Sequence, residues 1–176
     1  AQAYPEAEVV AVDVAAPMLR YGPARAKSLG VSHLTLRQAD GEHLDYPDGH
    51  FDLIMTSMFW HETSSTAMPR MLREIHRMLA PGGLTVHLEQ PQYEGMDPYE
   101  QFIRDWDCYN NNEPFWGMMH EYDLKPMMAA AGFDPAQYFE TKVRGVVDRN
   151  IFPEASGEKE DYGRAALWTA FGAWKP

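Results

Sequence analysis

The chain has 176 residues, 45% of them hydrophobic and 23% charged, with a net charge of −11 and a single cysteine. That length holds one domain with a real core and leaves little room for two. The charge argues against a nucleic-acid partner, since neutralising phosphates takes a basic face, and the lone Cys108 excludes a disulfide framework or a cysteine metal site. No apolar run approaches a membrane span, so no membrane partner is expected, and no secretory leader is legible in AQAYPEAEVV. A cytoplasmic location is the expectation.

In chain order, Glu8 to Asp13 reads EVVAVD, a short β-branched strand ending in a carboxylate. Ala16 to Leu29 is a helix with Met18, Leu19, Ala26 and Leu29 turned inward; Gly22-Pro23 predicts a kink or a division into two pieces. His33 to Ala39 is the next strand, followed by a second carboxylate, Asp40, and then Gly41. Tyr46-Pro47-Asp48-Gly49 is turn chemistry. Phe51 to Met58 is nearly continuous apolar sequence, as expected of a strand buried on both faces. Ser64, Ser65 and Thr66 offer capping hydroxyls, and Pro69 suits a first helical turn. Met68, Met71, Leu72, Ile75, Met78 and Leu79 then form one apolar stripe at helical spacing. Ala80-Pro81-Gly82-Gly83 stops that helix, and Leu84, Val86 and Leu88 follow at period two. Strand, helix and strand with short joints make a βαβ crossover, whose strands are parallel neighbours.

Beyond Gln90 the chain becomes aromatic, with Tyr93, Tyr99, Phe102, Trp106, Tyr109, Phe115 and Trp116. Tyr99, Phe102, Ile103 and Trp106 keep helical spacing, which predicts an amphipathic helix over Pro98 to Tyr109. Asp123 can cap a helix over Leu124 to Ala131, closed by Gly132. A strand lies within Tyr138–Val146, Asn150 to Gly163 is a charged loop, and Ala165 to Trp174 is the final strand. The alternation predicts an α/β fold: one domain, a doubly wound and mostly parallel sheet, with an aromatic-rich helical insertion over 92–122.

In such a sheet, ligands bind beyond the carboxyl ends of the strands. Asp13, Asp40 and the segment Thr56 to His61 all fall there. A carboxylate at an early strand end can accept hydrogen bonds from both hydroxyls of a ribose. A second carboxylate, before a glycine, suits the exocyclic amine of adenine. The competing reading is that each Asp caps the following helix. Two of them, in this order, favour a nucleoside ligand.

These residues carry a resemblance. VVAVDVAAPML (Val9–Leu19), QADGEHLDYPDGHFDLI (Gln38–Ile54) and LREIHRMLAPGGLTVHLEQ (Leu72–Gln90) resemble the class I S-adenosylmethionine-dependent methyltransferases of small-molecule type. The resemblance covers the chain to about Gly132 and, more loosely, the closing TAFGAWK. It implies a Rossmann-like fold, S-adenosyl-L-methionine as cofactor and methylation of a small molecule. It also implies that Asp13, with Val14 beside it, holds the ribose. Asp40, Gly41 and Glu42 read the adenine. Thr56 and Ser57 lie near the methionine part, and the segment that ends at His61 approaches the acceptor.

One departure stands out. The family's first strand and its GxGxG-like loop belong before Val9, where only AQAYPEAE stands; all thirteen glycines lie at or after Gly22. The chain therefore reads as an N-terminally truncated form whose sheet lacks its central strand. Partner pairing, a strand-swapped assembly such as a homodimer, or a rearranged edge is expected, together with poor cofactor affinity.

Alignment is the protein's main contribution to methyl transfer. An O- or N-acceptor can also call on a base, for which His61 is the first candidate, ahead of His120 and Tyr122; the alternative is proximity alone, on which many enzymes of this family rely. A structural role for His61 is the competing reading. The aromatic segment is placed where small-molecule members carry a lid over the acceptor. Trp60, Tyr93, Trp106, Tyr109, Trp116 and His120 are the candidate substrate contacts, and a helix packed on the sheet edge is the plainer alternative. His43, His50, Asp45 and Asp48 read as a solvated loop rather than a metal site. Two rival functions remain: a cofactor-free remnant of the fold that binds or assembles, and an NAD-dependent oxidoreductase. Asp40-Gly41 and the last strand disfavour the second.

Overall fold

A computed structural model describes residues 1–90, 92–144 and 167–176, which form two compact units, 1–46 and 47–176. In the first unit, β1 (Val9–Asp13) and β2 (Leu34–Gln38) pair in parallel, from Val9 opposite Leu34 to Asp13 opposite Gln38. Between them α1 (Ala16–Ser28) runs through Pro23 as one helix and is not divided into two pieces. The residue before a proline resists helical geometry because its Cβ meets the proline ring; here that residue is Gly22, which has none. The same glycine lets α1 lie close on the sheet, since a Cβ there would stand 2.6 Å from Leu36 Cδ1. Met18 and Leu29, expected inside, are exposed. Two strands present too narrow a strip to bury a whole helix face, and no residue of α1 is buried.

The second unit holds a four-stranded sheet in the order β3 (Phe51–Ser57), β4 (Leu79–Glu89), β6 (Leu167–Trp174), β5 (Tyr138–Arg144). β3 and β4 are parallel, as the crossover requires, and β6 runs antiparallel to both β4 and β5. The strands thus pair as two sheets, and β1 and β3 each have one strand neighbour among the described residues. β3 is not buried on both faces: Leu53 and Met55 are exposed, because strand alternation turns them to the side of this edge strand that the unit leaves uncovered.

The core lies on the other side. α2 (Met68–Met78) buries Met68, Leu72, Ile75 and Met78 along the expected stripe. Met68, Leu72 and Ile75 pack with Leu124 and Met128 of α5 (Leu124–Ala130) and with Phe133, Phe171 and Ala173. α2 ends at Met78 and β4 begins at the next residue, with Ala80 to Gly83 absorbed by a register shift opposite Phe51–Leu53 and a positive φ of 79° at Gly82. Lys175 Nζ donates to the carbonyls of His76 and Leu79, both at 2.8 Å, and so satisfies acceptors that the helix end leaves open.

Two faces are turned opposite to the sequence expectation. In β4 the apolar Leu84, Val86 and Leu88 are only half-buried, while Thr85, His87 and Glu89 are fully buried. In α3 (Pro98–Asn111) the aromatic stripe faces out: Tyr99, Phe102 and Trp106 are exposed, and the buried residue is Arg104. The reason is the partners Arg104 finds. Its guanidinium donates through Nη1 to Gln90 Oε1 at 2.8 Å and through Nη2 to Glu100 Oε1 at 3.0 Å, which offsets the cost of burying the charge although Nε is without a partner. The strand expected within Tyr138–Val146 is described to Arg144, and the loop Asn150 to Gly163 lies outside the described residues.

Candidate active site

The first unit gathers Asp13, Val14, Asp40, Gly41 and Glu42 at adjoining ends of its two parallel strands, where the Ala39 amide donates to the Asp13 carbonyl at 3.2 Å. Each carboxylate is held by the backbone two residues on. Asp13 Oδ1 accepts from the Ala15 amide at 2.7 Å, and Asp40 Oδ1 from the Glu42 amide at 2.9 Å. The Asp13 contact is an Asx turn before α1, whose N-cap Ala15 has no side-chain cap, and it uses one oxygen. The second oxygen of each side chain remains able to accept. Beside Asp13, Val14 is 73% exposed, an apolar surface of the kind that a sugar or base can cover. These residues fit the ribose and adenine of S-adenosylmethionine.

The second unit builds its polar site at the end of β4. After β3, Met58 adopts a left-handed φ of 51°, a strain of about 1 kcal/mol for a residue with a side chain. Its amide donates to Leu88 O at 2.9 Å, which holds the turn. The chain then enters a single 3-10 turn over Trp60–Glu62. Three successive amides face Glu89 Oε2: Phe59 at 3.1 Å, Trp60 at 2.8 Å and His61 at 3.4 Å. Glu89 Oε1 accepts from the Gln90 amide at 2.7 Å and pairs with His61 Nδ1 at 2.7 Å. Every neighbour is a donor, so Glu89 acts on both oxygens as an acceptor, and the hydrogen bond assigns the ring proton of His61 to Nδ1.

His61 Nε2 faces Glu62 Oε1 at 4.0 Å and carries no hydrogen bond. Burial alone pushes His61 toward its neutral form. The hydrogen bond and charge of Glu89, with the charges of Glu62 and Glu113, outweigh it and raise the pKa above 6.5. The ring packs against Trp116, 4.9 Å between centroids, in the short helix α4 (Trp116–Met119). Trp116 Nε1 donates to His120 Nε2 at 2.8 Å, and His120 stacks flat on Tyr93 at 4.2 Å. Tyr93 in turn donates to Asp105 of α3, and this bond and burial raise the pKa of the phenol. An aromatic wall thus runs from His61 to Tyr93.

The remaining candidates separate from this group. The Thr56 hydroxyl is engaged with His87 Nδ1 at 2.9 Å, while Ser57, on the opposite side of the strand, is exposed. Trp60 is buried, edge-on to His87, with its indole N–H unpartnered; the Tyr122 hydroxyl is buried and unpartnered too. Trp106 and Tyr109 point to solvent, 54% and 85% exposed, away from the wall. Of the loop acids, Asp45 lies 3.8 Å from Arg37 and Asp48 pairs with Arg77 at 2.7 Å. Among the described residues no group of three histidines, cysteines or acids could hold a metal. Nor is any described helix long and apolar enough to cross a membrane. Cys108 donates its thiol to the Glu113 carbonyl.

Sequence reading missed Glu89, Gln90 and Arg104. The signal was present in TVHLE: polar residues at every second position of a strand, which is how a buried polar face is written.

Residues 1–83 match the methyltransferase domain family. A C-methyltransferase of ubiquinone and menaquinone biosynthesis from Shewanella oneidensis, UbiE, is 32% identical over 148 residues, covering 74% of this chain and 58% of that protein. The chain belongs to the class I S-adenosylmethionine-dependent methyltransferases. It spans little more than half the length of the curated relatives it matches, 58%. Among solved structures, the YcgJ protein from Bacillus subtilis aligns with a TM-score of 0.62 at 18% identity, over 99% of this chain and 86% of that one. A SAM-dependent methyltransferase from Methanosarcina mazei gives 0.63 at 16% identity, over 95% and 81%. The [4+2]-cyclase SpnF, at 0.61 and 19% identity over 99% and 69%, has the same fold. These structural likenesses establish the Rossmann-like methyltransferase fold; a cyclase among them shows that chemistry must be argued from residues.

Proposed function

We propose that this chain serves methyl transfer from S-adenosylmethionine to a small acceptor with an aromatic ring. The observation that carries it is the pair of strand-end carboxylates, Asp13 and Asp40, each anchored through one oxygen with the other left to accept. Asp13 holds the ribose hydroxyls, Val14 covers the sugar face, and Asp40 with Gly41 and Glu42 reads the adenine. Bound, the cofactor supplies an electrophilic methyl group on a sulfonium. The chain's part is to bind, align and exclude water. Trp116, His120 and Tyr93 offer flat surfaces for an aromatic ring. The activity for which the Shewanella relative is named, C-methylation in ubiquinone and menaquinone biosynthesis, supports a quinone-type ring as the finer reading.

Isothermal titration calorimetry on the full-length gene product tests this. S-adenosylmethionine is expected to bind, and Asp13→Asn to weaken it at least tenfold, about 1.4 kcal/mol. NAD binding in its place would overturn the reading.

A further inference from the structure

We propose that Glu89 is a positioning residue that presents His61 Nε2 as the proton acceptor for an acceptor molecule whose reacting atom must lose a proton, a ring hydroxyl or an activated ring carbon. The proposal rests on the methyltransferase reading for the acceptor, but the state of the histidine can be tested without it.

Three observations carry it. First, Glu89 is fully buried at the end of β4, and His61 Nδ1 lies 2.7 Å from it. That bond fixes the tautomer, so the lone pair of the neutral ring is on Nε2. Second, Nε2 is the atom left without a hydrogen bond, on the side of the solvent-facing Glu62. Third, the carboxylate does not depend on His61 for its burial. Four backbone amides, of Phe59, Trp60, His61 and Gln90, already hold it. A buried acid satisfied by the backbone is available to stabilise an imidazolium that forms and disappears.

The charged groups around the ring are Glu89 on β4, Glu62 on its own turn and Glu113 in the segment before α4. All are acidic, so all favour the protonated ring. His120 accepts a hydrogen bond from Trp116 Nε1, and the Trp116 indole packs on the His61 ring.

The step balances simply. For a ring hydroxyl the O–H bond breaks as the oxygen takes the methyl, and for a ring carbon the C–H bond breaks after the carbon–methyl bond has formed; in each case the sulfur keeps the pair of the broken S–methyl bond, the acceptor keeps the pair of its own broken bond, and the proton moves to His61 Nε2. The imidazolium is then neutralised by Glu89 until the proton passes to solvent on the Glu62 side. Acceptors that lose no proton in the reaction gain nothing from the dyad.

The test uses the full chain labelled with 15N-histidine, in the wild type and in Glu89→Gln, with Glu89→Asp as the variant that keeps a carboxylate. In wild type His61 is expected as the Nδ1–H tautomer, titrating above 6.5. In Glu89→Gln its midpoint falls, and Glu89→Asp recovers part of the shift. Where transfer to a hydroxylated aromatic ring is measured, the acid limb of kcat/KM moves down with the midpoint and the plateau drops on the order of 100-fold. An Nε2–H tautomer in the wild type, or an unchanged midpoint in Glu89→Gln, would overturn the proposal even if Glu89→Asp did not fold. Failure of S-adenosylmethionine to bind by calorimetry, with the histidine behaving as described, would instead remove the methyltransferase reading and leave the dyad standing.

Discussion

His61 and His87 are both buried in the second unit, 4% and 0% exposed, and both belong to networks built on β4. They differ in their partners. Thr56 donates its hydroxyl to His87 Nδ1 at 2.9 Å, while Nε2 meets Thr85 at 3.0 Å, and Thr85 passes its own proton to the Ile54 carbonyl at 3.0 Å. Phe171 lies 4.9 Å from the ring, and Trp60 meets it edge-on. Both nitrogens are thus used, by neutral groups, and burial pushes the pKa down to about 3. His61 has an acid hydrogen-bonded to Nδ1, and Nε2 carries no hydrogen bond, with the Glu62 carboxylate 4.0 Å away. Burial by itself says nothing about role: a closed set of neutral partners makes a structural histidine, and a charged partner opposite an open nitrogen makes a reactive one.

The contrast can be broken most severely at Glu89. Glu89→Leu leaves the three amides of Phe59, Trp60 and His61 facing an apolar side chain, with a net loss of about 3–5 kcal/mol. Urea unfolding measures it, and a loss under 1 kcal/mol would mean that the turn finds other acceptors. A smaller effect sharpens the other side. The folded-state pKa of His87 is depressed from 6.5 to about 3, so the unfolded chain takes the proton first. The stability due to neutral His87 is present above pH 6.5 and is lost as pH falls toward 3, about 2 kcal/mol of it by pH 5. His61 has the opposite sign: its pKa is raised, so its contribution is present below 6.5 and is lost as pH rises through the folded value. Unfolding midpoints of wild type and His87→Phe between pH 7 and 5 on the same buffers should therefore converge, with the variant's dependence the flatter. The smallest effect is expected on the outer face of α3. Tyr109→Ala, at a residue 85% exposed, should change stability by less than about 0.5 kcal/mol and leave transfer to an aromatic acceptor unchanged. A large loss of transfer there would return Tyr109 to the substrate contacts.

What the sequence made legible follows from how each signal arises. The α2 stripe, the parallel β3–β4 pair and the strand-end acids were readable because periodicity and turn chemistry are local. The faces of β4 and α3 were misassigned because hydrophobicity predicts which side is buried only when the buried side is apolar. Thr85, His87, Glu89 and Arg104 have local partners too, but each is also held by a distant one, Ile54, Thr56, the Phe59 amide and Gln90 respectively, 14 to 31 residues away. No window of local sequence contains such a pairing. At Pro23 the division into two pieces does not occur, and the reason is local: the residue before it is Gly22, which lacks the Cβ that would resist helical geometry.

The account turns on the difference between the two histidines, and a single pH titration of the 15N-histidine-labelled wild-type chain measures it. His61 should hold its proton on Nδ1 and become charged at a pH above 6.5, while His87 stays neutral until the fold is lost in acid. If His87 takes up a proton in the folded chain near pH 6.5, or His61 stays neutral well below it, the division between a structural and a reactive histidine is wrong.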